Sequence, residues 1–180
     1  MKEIMEWVKD ILLAVVIAAV ILAFFKPIIV QQQSMEPNFH AGDYLITSRQ
    51  AYRLFGDPQR GDVIVFKSEL LDENEKPKNL IKRIIALPGE TIEIKGGEVY
   101  IDGQMLQEDY LPGEAISGEM DAVTVPEGQL FVMGDNREYS EDSRSPRVGA
   151  IEQSTIVGKV IVRLYPFNSI KMFKGVDYES

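Results

Sequence analysis

The chain has 180 residues, with 28 acidic and 19 basic side chains for a net charge of −9, one histidine and no cysteine. Without cysteine there is no disulfide framework, thiolate nucleophile or Cys-ligated zinc site, and one histidine cannot build a multi-histidine metal centre. So acidic a surface also disfavours attraction to nucleic-acid phosphates, and neither nucleic acid nor a metal ion is expected as a partner.

Residues 11–25 (ILLAVVIAAVILAFF) are 15 consecutive apolar positions. That length suits the core of a removed secretory leader and falls short of the ~20 residues of an ordinary spanning helix. The flanks decide between the two. Val8 precedes the run, Lys26 is placed to snorkel to lipid headgroups, Ile28-Ile29-Val30 follows, and no A-x-A cleavage site comes after Phe25. Residues 1–30 are therefore expected to be an N-terminal tail and uncleaved transmembrane anchor in the lipid bilayer, with residues 31–180 as the domain it tethers. The first 26 residues carry equal numbers of bases and acids, so the whole −9 belongs to that domain. Charge counting gives no orientation, because two lysines and three acids precede the run and Lys26, Arg49 and Arg53 follow it.

After Pro27 the chain alternates short apolar strands with turn residues. DYLIT (43–47), DVIVF (62–66), LIKRIIAL (80–87), ETIEI (90–94), EVYID (98–102), QLFVM (129–133) and TIVGKVIVRLY (155–165) read as strands. Gly42-Asp43, Gly61-Asp62, Pro88-Gly89, Gly96-Gly97, Asp102-Gly103 and Gly134-Asp135 punctuate them. The expected fold is mainly β, a domain of antiparallel sheets behind one transmembrane helix. The charged stretch 70–79 reads as a solvated excursion, and 95–126, with two hairpin signals and LPGEAISGEM, as a small β insertion.

Four segments carry candidate chemistry. Ser34 in QSMEP lies nine residues past the apolar run, so an extended chain keeps it within about 30 Å of the membrane surface; a serine in a polar linker is otherwise an ordinary solvated hydroxyl. Lys82 and Arg83 interrupt an apolar strand in LIKRIIALPGE. Alternation places Lys82 with Ile84 and Ala86 and Arg83 with Ile85 and Leu87, so one cation is expected to face the core. Burial and a neighbouring cation such as Arg83 both lower a lysine pKa, which makes Lys82 a candidate general base; the competing role is an edge-strand lysine that discourages sheet pairing. His40 has no evident partners and reads as a surface or turn residue. In GDNREYSEDSRSPR (134–147), Asp135 and Asp142 are placed to pair with Arg83, Arg137 or Arg144, and Ser140 to orient a neutral Lys82 amine. The D-x-[DN]-x-[DN]-G spacing of a calcium loop is absent. GDVIVF (61–66) is foremost a core strand, with Met35, Val63 and Val65 as candidate lining of an apolar groove beside Ser34.

These motifs together resemble the type I signal peptidases of bacteria, membrane-bound Ser-Lys proteases that remove signal peptides from exported preproteins. The resemblance is carried, in order, by an N-terminal anchor, S-M-x-P at 34–37, G-D-x-V-x-F at 61–66, K-R-x-x-x-x-P-G-E at 82–90 and G-D-N-R-x-x-S-x-D-S-R at 134–144. It implies Ser34 as nucleophile, Lys82 as general base, Ser140 orienting the lysine, and Asp142 with Arg144 and Asp135 with Arg83 bracing the site. It further implies two antiparallel sheets with a variable β insertion, no cofactor, cleavage after small residues in an A-x-A pattern, a cytoplasmic N-terminus and an extracytoplasmic domain. Two positions depart from the pattern: Asn38 stands where Thr is usual, and Gln32 where Ser or Gly is usual. The Ser34 backbone N–H supplies one oxyanion donor, and the second is either the Gln32 amide or a group from elsewhere. Two other readings fit parts of the chain. The self-cleaving repressors of the DNA-damage response share a Ser-Lys dyad but lack an anchor, and an inactive membrane-tethered β module would bind exported peptides without cutting them.

Overall fold

The computed structural model describes residues 2–54, 56–113 and 116–173. Helix α1 (Lys2–Phe24) rises about 34 Å at 1.5 Å per residue, enough for a hydrocarbon layer of ~30 Å. Its segment Ile4–Phe24 has a mean hydropathy of 2.4 and none of it is buried against the rest of the chain. An apolar helix with no protein partner has the length and composition to cross a membrane. It passes without a linker into β1 (Phe25–Ile29), which pairs with β2 (Tyr44–Ser48). This corrects the expected anchor boundary: residues 25–29 belong to the sheet, and Lys26 lies opposite Thr47, whose hydroxyl donates to the Lys26 carbonyl at 2.9 Å. Pro27 is tolerated because β1 is the outermost strand and needs no second ladder of N–H donors.

The remaining strands are β3 (Val63–Leu71), β4 (Pro77–Ala86), β5 (Thr91–Lys95), β6 (Glu98–Ile101), β7 (Gln104–Met105), β8 (Met120–Thr124), β9 (Gln129–Met133), β10 (Ile151–Glu152), β11 (Ile156–Tyr165) and β12 (Lys171–Met172). The main sheet runs β1-β2-β11-β3-β4-β9-β10 with β12 beside β11, and a second sheet runs β7-β6-β5-β8. All these pairings are antiparallel. The stretch 70–79 is not a loose excursion. Strands β3 and β4 extend into it and close in a tight turn, where the Asp72 N–H bonds the Lys76 carbonyl and Glu75 takes a φ of 58°. The second sheet likewise begins earlier than position 95, because β5 pairs with β6 and β8 and not with the main sheet.

Strand β4 is the hinge of the packing. One side pairs with β3 over most of its length, but the other meets β9 only at Arg83–Ala86, which leaves the Pro77–Lys82 edge open. Apolar side chains cover both faces. Ile85 and Ala86 join Ile92, Val99, Phe131 and Met133 between the sheets; Leu80 and Ile84 pack with Ile64, Phe66 and Val132; Met35, Phe39, Val63 and Val65 form a third cluster beneath the Ser34 loop. With both faces covered, strand alternation cannot send one of two adjacent side chains to water. Lys82 and Arg83 are consequently both buried, where one was expected to face the core.

Candidate active site

The turn that carries Ser34 is closed by the Glu36 N–H on the Gln33 carbonyl, and it is held from across the fold by Asn136. The Asn136 backbone N–H bonds the Ser34 carbonyl at 3.1 Å and its side-chain amide bonds the Gln33 carbonyl at 3.1 Å. Beneath the turn, Met35 and Phe39 are fully buried. The Ser34 hydroxyl, on a residue only 5% exposed, lies 2.6 Å from the Lys82 amine, itself 1% exposed. Desolvation lowers the Lys82 pKa to about 8 against the pull of Asp142 and Asp135. The cation that assists is Arg144; Arg83, named as the neighbour at the sequence level, is committed to Asp135.

The buried amine has a thermodynamic consequence. Its folded pKa lies below the ordinary value of 10.5, so between about pH 8 and 10.5 the unfolded chain holds a proton that the folded chain lacks. Stability therefore rises with pH across that window, and the cost is fully present below pH 8. Lys82→Met is expected to raise thermal stability at pH 7 by on the order of 2 kcal/mol, with the gain shrinking towards pH 10. Paired melting curves at the two pH values check this; a wild type that is the more stable protein at pH 7 contradicts it.

Around the pair, the polar run after β9 is braced by three two-pronged ion pairs. Arg83 binds Asp135 at 2.8 and 2.6 Å, Arg144 binds Asp142 at 2.9 and 2.8 Å, and Arg137 binds Glu108 from the second sheet's connecting segment at 2.8 and 2.6 Å. Burial would raise the Asp142 pKa, but Arg144, Ser140 and the Gly134 N–H outweigh it and hold the carboxyl below the usual range. Ser140 lies beside Asp142, and its buried Oγ makes no hydrogen bond of ordinary geometry, to Lys82 or to any other described residue. Asn38, marked at the sequence level only as a departure, bonds both the Tyr110 carbonyl at 2.8 Å and Asp135 at 2.9 Å. It ties the Ser34 loop to the ion-pair frame and to the segment that carries Tyr110.

Two expected site features differ in the structure. Met35, Val63 and Val65 are all core residues, 0%, 3% and 4% exposed, and of the three only Val65 lines the groove beside the Lys26–Gln32 segment. This groove, about 740 Å³, runs between the Lys26–Gln32 segment and the Asp72–Ile81 hairpin. Gln32 is exposed on its wall, with no hydrogen bond from its amide among the described residues. The Ser34 backbone N–H has no backbone hydrogen-bond partner among the described residues. His40 is exposed, its carbonyl accepting the Asp43 N–H in a turn. A further positioning residue was legible in the sequence only as a turn signal: a Cβ on buried Gly134 would lie 2.2 Å from Ser140 Oγ and 2.3 Å from the Ser34 carbonyl oxygen.

A serine hydroxyl held against a buried lysine amine in a mainly antiparallel β fold sets the hydroxyl within proton-transfer reach of a basic group. The family model described as signal peptidase, peptidase S26, matches residues 4–165, and the chain belongs to that family. Among curated relatives, a signal peptidase I of Bacillus licheniformis is 38% identical, covering 94% of this chain and 93% of its own. A probable signal peptidase I-1 of Synechocystis is 42% identical over 89% of this chain and 84% of its own. A crystal structure of a signal peptidase I from Enterococcus faecalis matches at 36% identity and a TM-score of 0.48, covering 57% of this chain and 96% of that one.

Proposed function

We propose that the chain is a membrane-anchored serine endopeptidase that removes signal peptides from exported preproteins, cutting after small residues in an A-x-A pattern. The observation that carries this is the 2.6 Å contact between the Ser34 hydroxyl and a lysine amine whose pKa burial has brought down to about 8. At neutral pH a useful fraction of the amine is unprotonated and accepts the Ser34 proton as the hydroxyl attacks the scissile carbonyl. The departing amine takes that proton, and the acyl-enzyme is hydrolysed by a water that Lys82 activates in turn. The Ser34 N–H is one donor to the tetrahedral oxyanion, and the exposed Gln32 amide, two residues before it, is the second. Ser140 orients Lys82 when its buried Oγ, without a partner among the described residues, turns to the neutral amine, and Asp135 with Arg83 and Asp142 with Arg144 keep the loop rigid.

Substrate access follows from the sheet. The open edge of β1 and the open Pro77–Lys82 edge of β4 border the same groove. An extended peptide lying between them finds backbone partners on either side and points alternate side chains to one wall, which supports a specificity of period two. The groove starts at Lys26, immediately after α1 ends at Phe24. With α1 spanning the membrane, N-terminus in the cytoplasm and domain outside, a signal peptide embedded beside it delivers its following residues directly to Ser34. Sharing one bilayer raises the effective concentration of enzyme and substrate, so weak intrinsic affinity suffices. Exposed Tyr44, Tyr165 and Phe167, stacked edge to face, suit a domain lying at a lipid–water boundary.

The test is to incubate the detergent-solubilised full chain with a preprotein bearing an A-x-A site and to sequence the N-terminus of the product. The expected cut follows the second small residue. A folded protein that leaves the preprotein intact overturns the proposal in favour of a peptide-binding module.

A further inference from the structure

A second cavity, of about 200 Å³, is bordered among the described residues by Glu36 and Pro37, which follow Ser34 in the chain, and by Leu111, Pro112, Asp135, Asn136 and Arg137. It is smaller than the ~300–1,000 Å³ of a pocket for a whole ligand and of the scale of one or two side chains. It abuts the nucleophile: Glu36 closes the Ser34 turn through the Gln33 carbonyl, and Asn136 binds the Ser34 carbonyl. The groove reaches the residues that precede Ser34, through Gln31 and Gln32. A chain entering at Lys26 and crossing Ser34 therefore continues into the cavity, and what lies there is the part beyond the scissile bond.

The charges on its walls are not balanced. Asp135 is paired with Arg83 and Arg137 with Glu108, whereas the half-buried Glu36 makes no ion pair among the described residues. The neutral walls, Leu111 and Pro112, offer nothing to offset it.

We infer that this cavity receives the first residues of the mature chain, the segment that leaves as the amine, and that Glu36 makes it favour basic over acidic side chains there. The inference rests on the peptidase reading above. The experiment uses the full chain in detergent at low ionic strength and three preproteins with identical signal peptides, carrying Lys, Gln or Glu at the first and second mature positions. The Lys substrate is expected to exceed the Glu substrate in kcat/KM by about three- to tenfold, the magnitude of a partly exposed ion pair, and the difference to shrink as salt is added. Rates are divided by that of the Gln substrate, so any general change in activity cancels. The ratio should collapse in Glu36→Gln and invert in Glu36→Lys. Equal cleavage of all three by the wild type, or a preference that both variants keep, overturns the inference while leaving the peptidase reading intact. Cleavage of none of them by folded wild type removes both.

Discussion

Lys82→Arg is expected to lower kcat/KM for preprotein cleavage by about a thousandfold or more, with no recovery up to pH 10. Arginine preserves a positive charge beside Asp142 but does not release its proton at working pH, so it cannot accept one from the Ser34 hydroxyl. A folded Lys82→Arg variant that still cuts would reduce Lys82 to a buried cation. The wild type supplies the complementary measurement. With its amine at about pH 8, activity should fall roughly tenfold per pH unit below that value and level off above it. A flat profile from pH 6 to 8 would remove Lys82 from the role of base. Ser34→Ala should lose as much as Lys82→Arg, and the double variant little more than either, because groups that act as a unit do not contribute additively.

The second large effect falls on a residue with no chemistry of its own. Gly134→Ala inserts a methyl 2.2 Å from Ser140 Oγ and 2.3 Å from the Ser34 carbonyl oxygen. The Ser140 hydroxyl can turn away, but the Ser140 Cβ at 2.5 Å cannot, and the Ser34 carbonyl is backbone already tied to the Asn136 N–H. The substitution must therefore push the nucleophile turn away from the loop that follows β9. A displacement approaching 1 Å at a reacting atom costs on the order of a hundredfold in rate, while overpacking at a buried site costs about 1–3 kcal/mol of stability. The expected result is a folded variant with a moderately lowered melting temperature and about hundredfold lower kcat. A variant with unchanged kcat would mean that the two loops separate freely and that Gly134 is only a turn residue.

The strands were legible because their apolar positions recur with period two and their ends carry Gly, Asp and Pro; DYLIT and QLFVM appear within a residue of where they were read, while DVIVF starts within one residue and runs on to Leu71. The boundary of α1 was less legible. Phe24-Phe25 is equally apolar on both sides of the helix end, and only pairing of β1 with Thr47 and its neighbours ends the helix there. The twin burial of Lys82 and Arg83 was illegible for a related reason: alternation assigns faces, and whether both are covered depends on what packs above and below. Asn38 and Glu36 carried no local signal, since their roles depend on Tyr110, Asp135 and the cavity beyond them.

By itself, the sequence determined the apolar helix, the order of the strands and the identity of the groups able to do chemistry, because backbone propensity, side-chain pattern and intrinsic reactivity are local properties. Only the tertiary structure decided that a hydroxyl and an amine 48 positions apart lie at 2.6 Å, that the amine is dry enough to release its proton, and that one missing Cβ at Gly134 makes room for the Ser34 carbonyl and Ser140. Distance and desolvation are properties of packed neighbours, and no segment of the chain carries them alone.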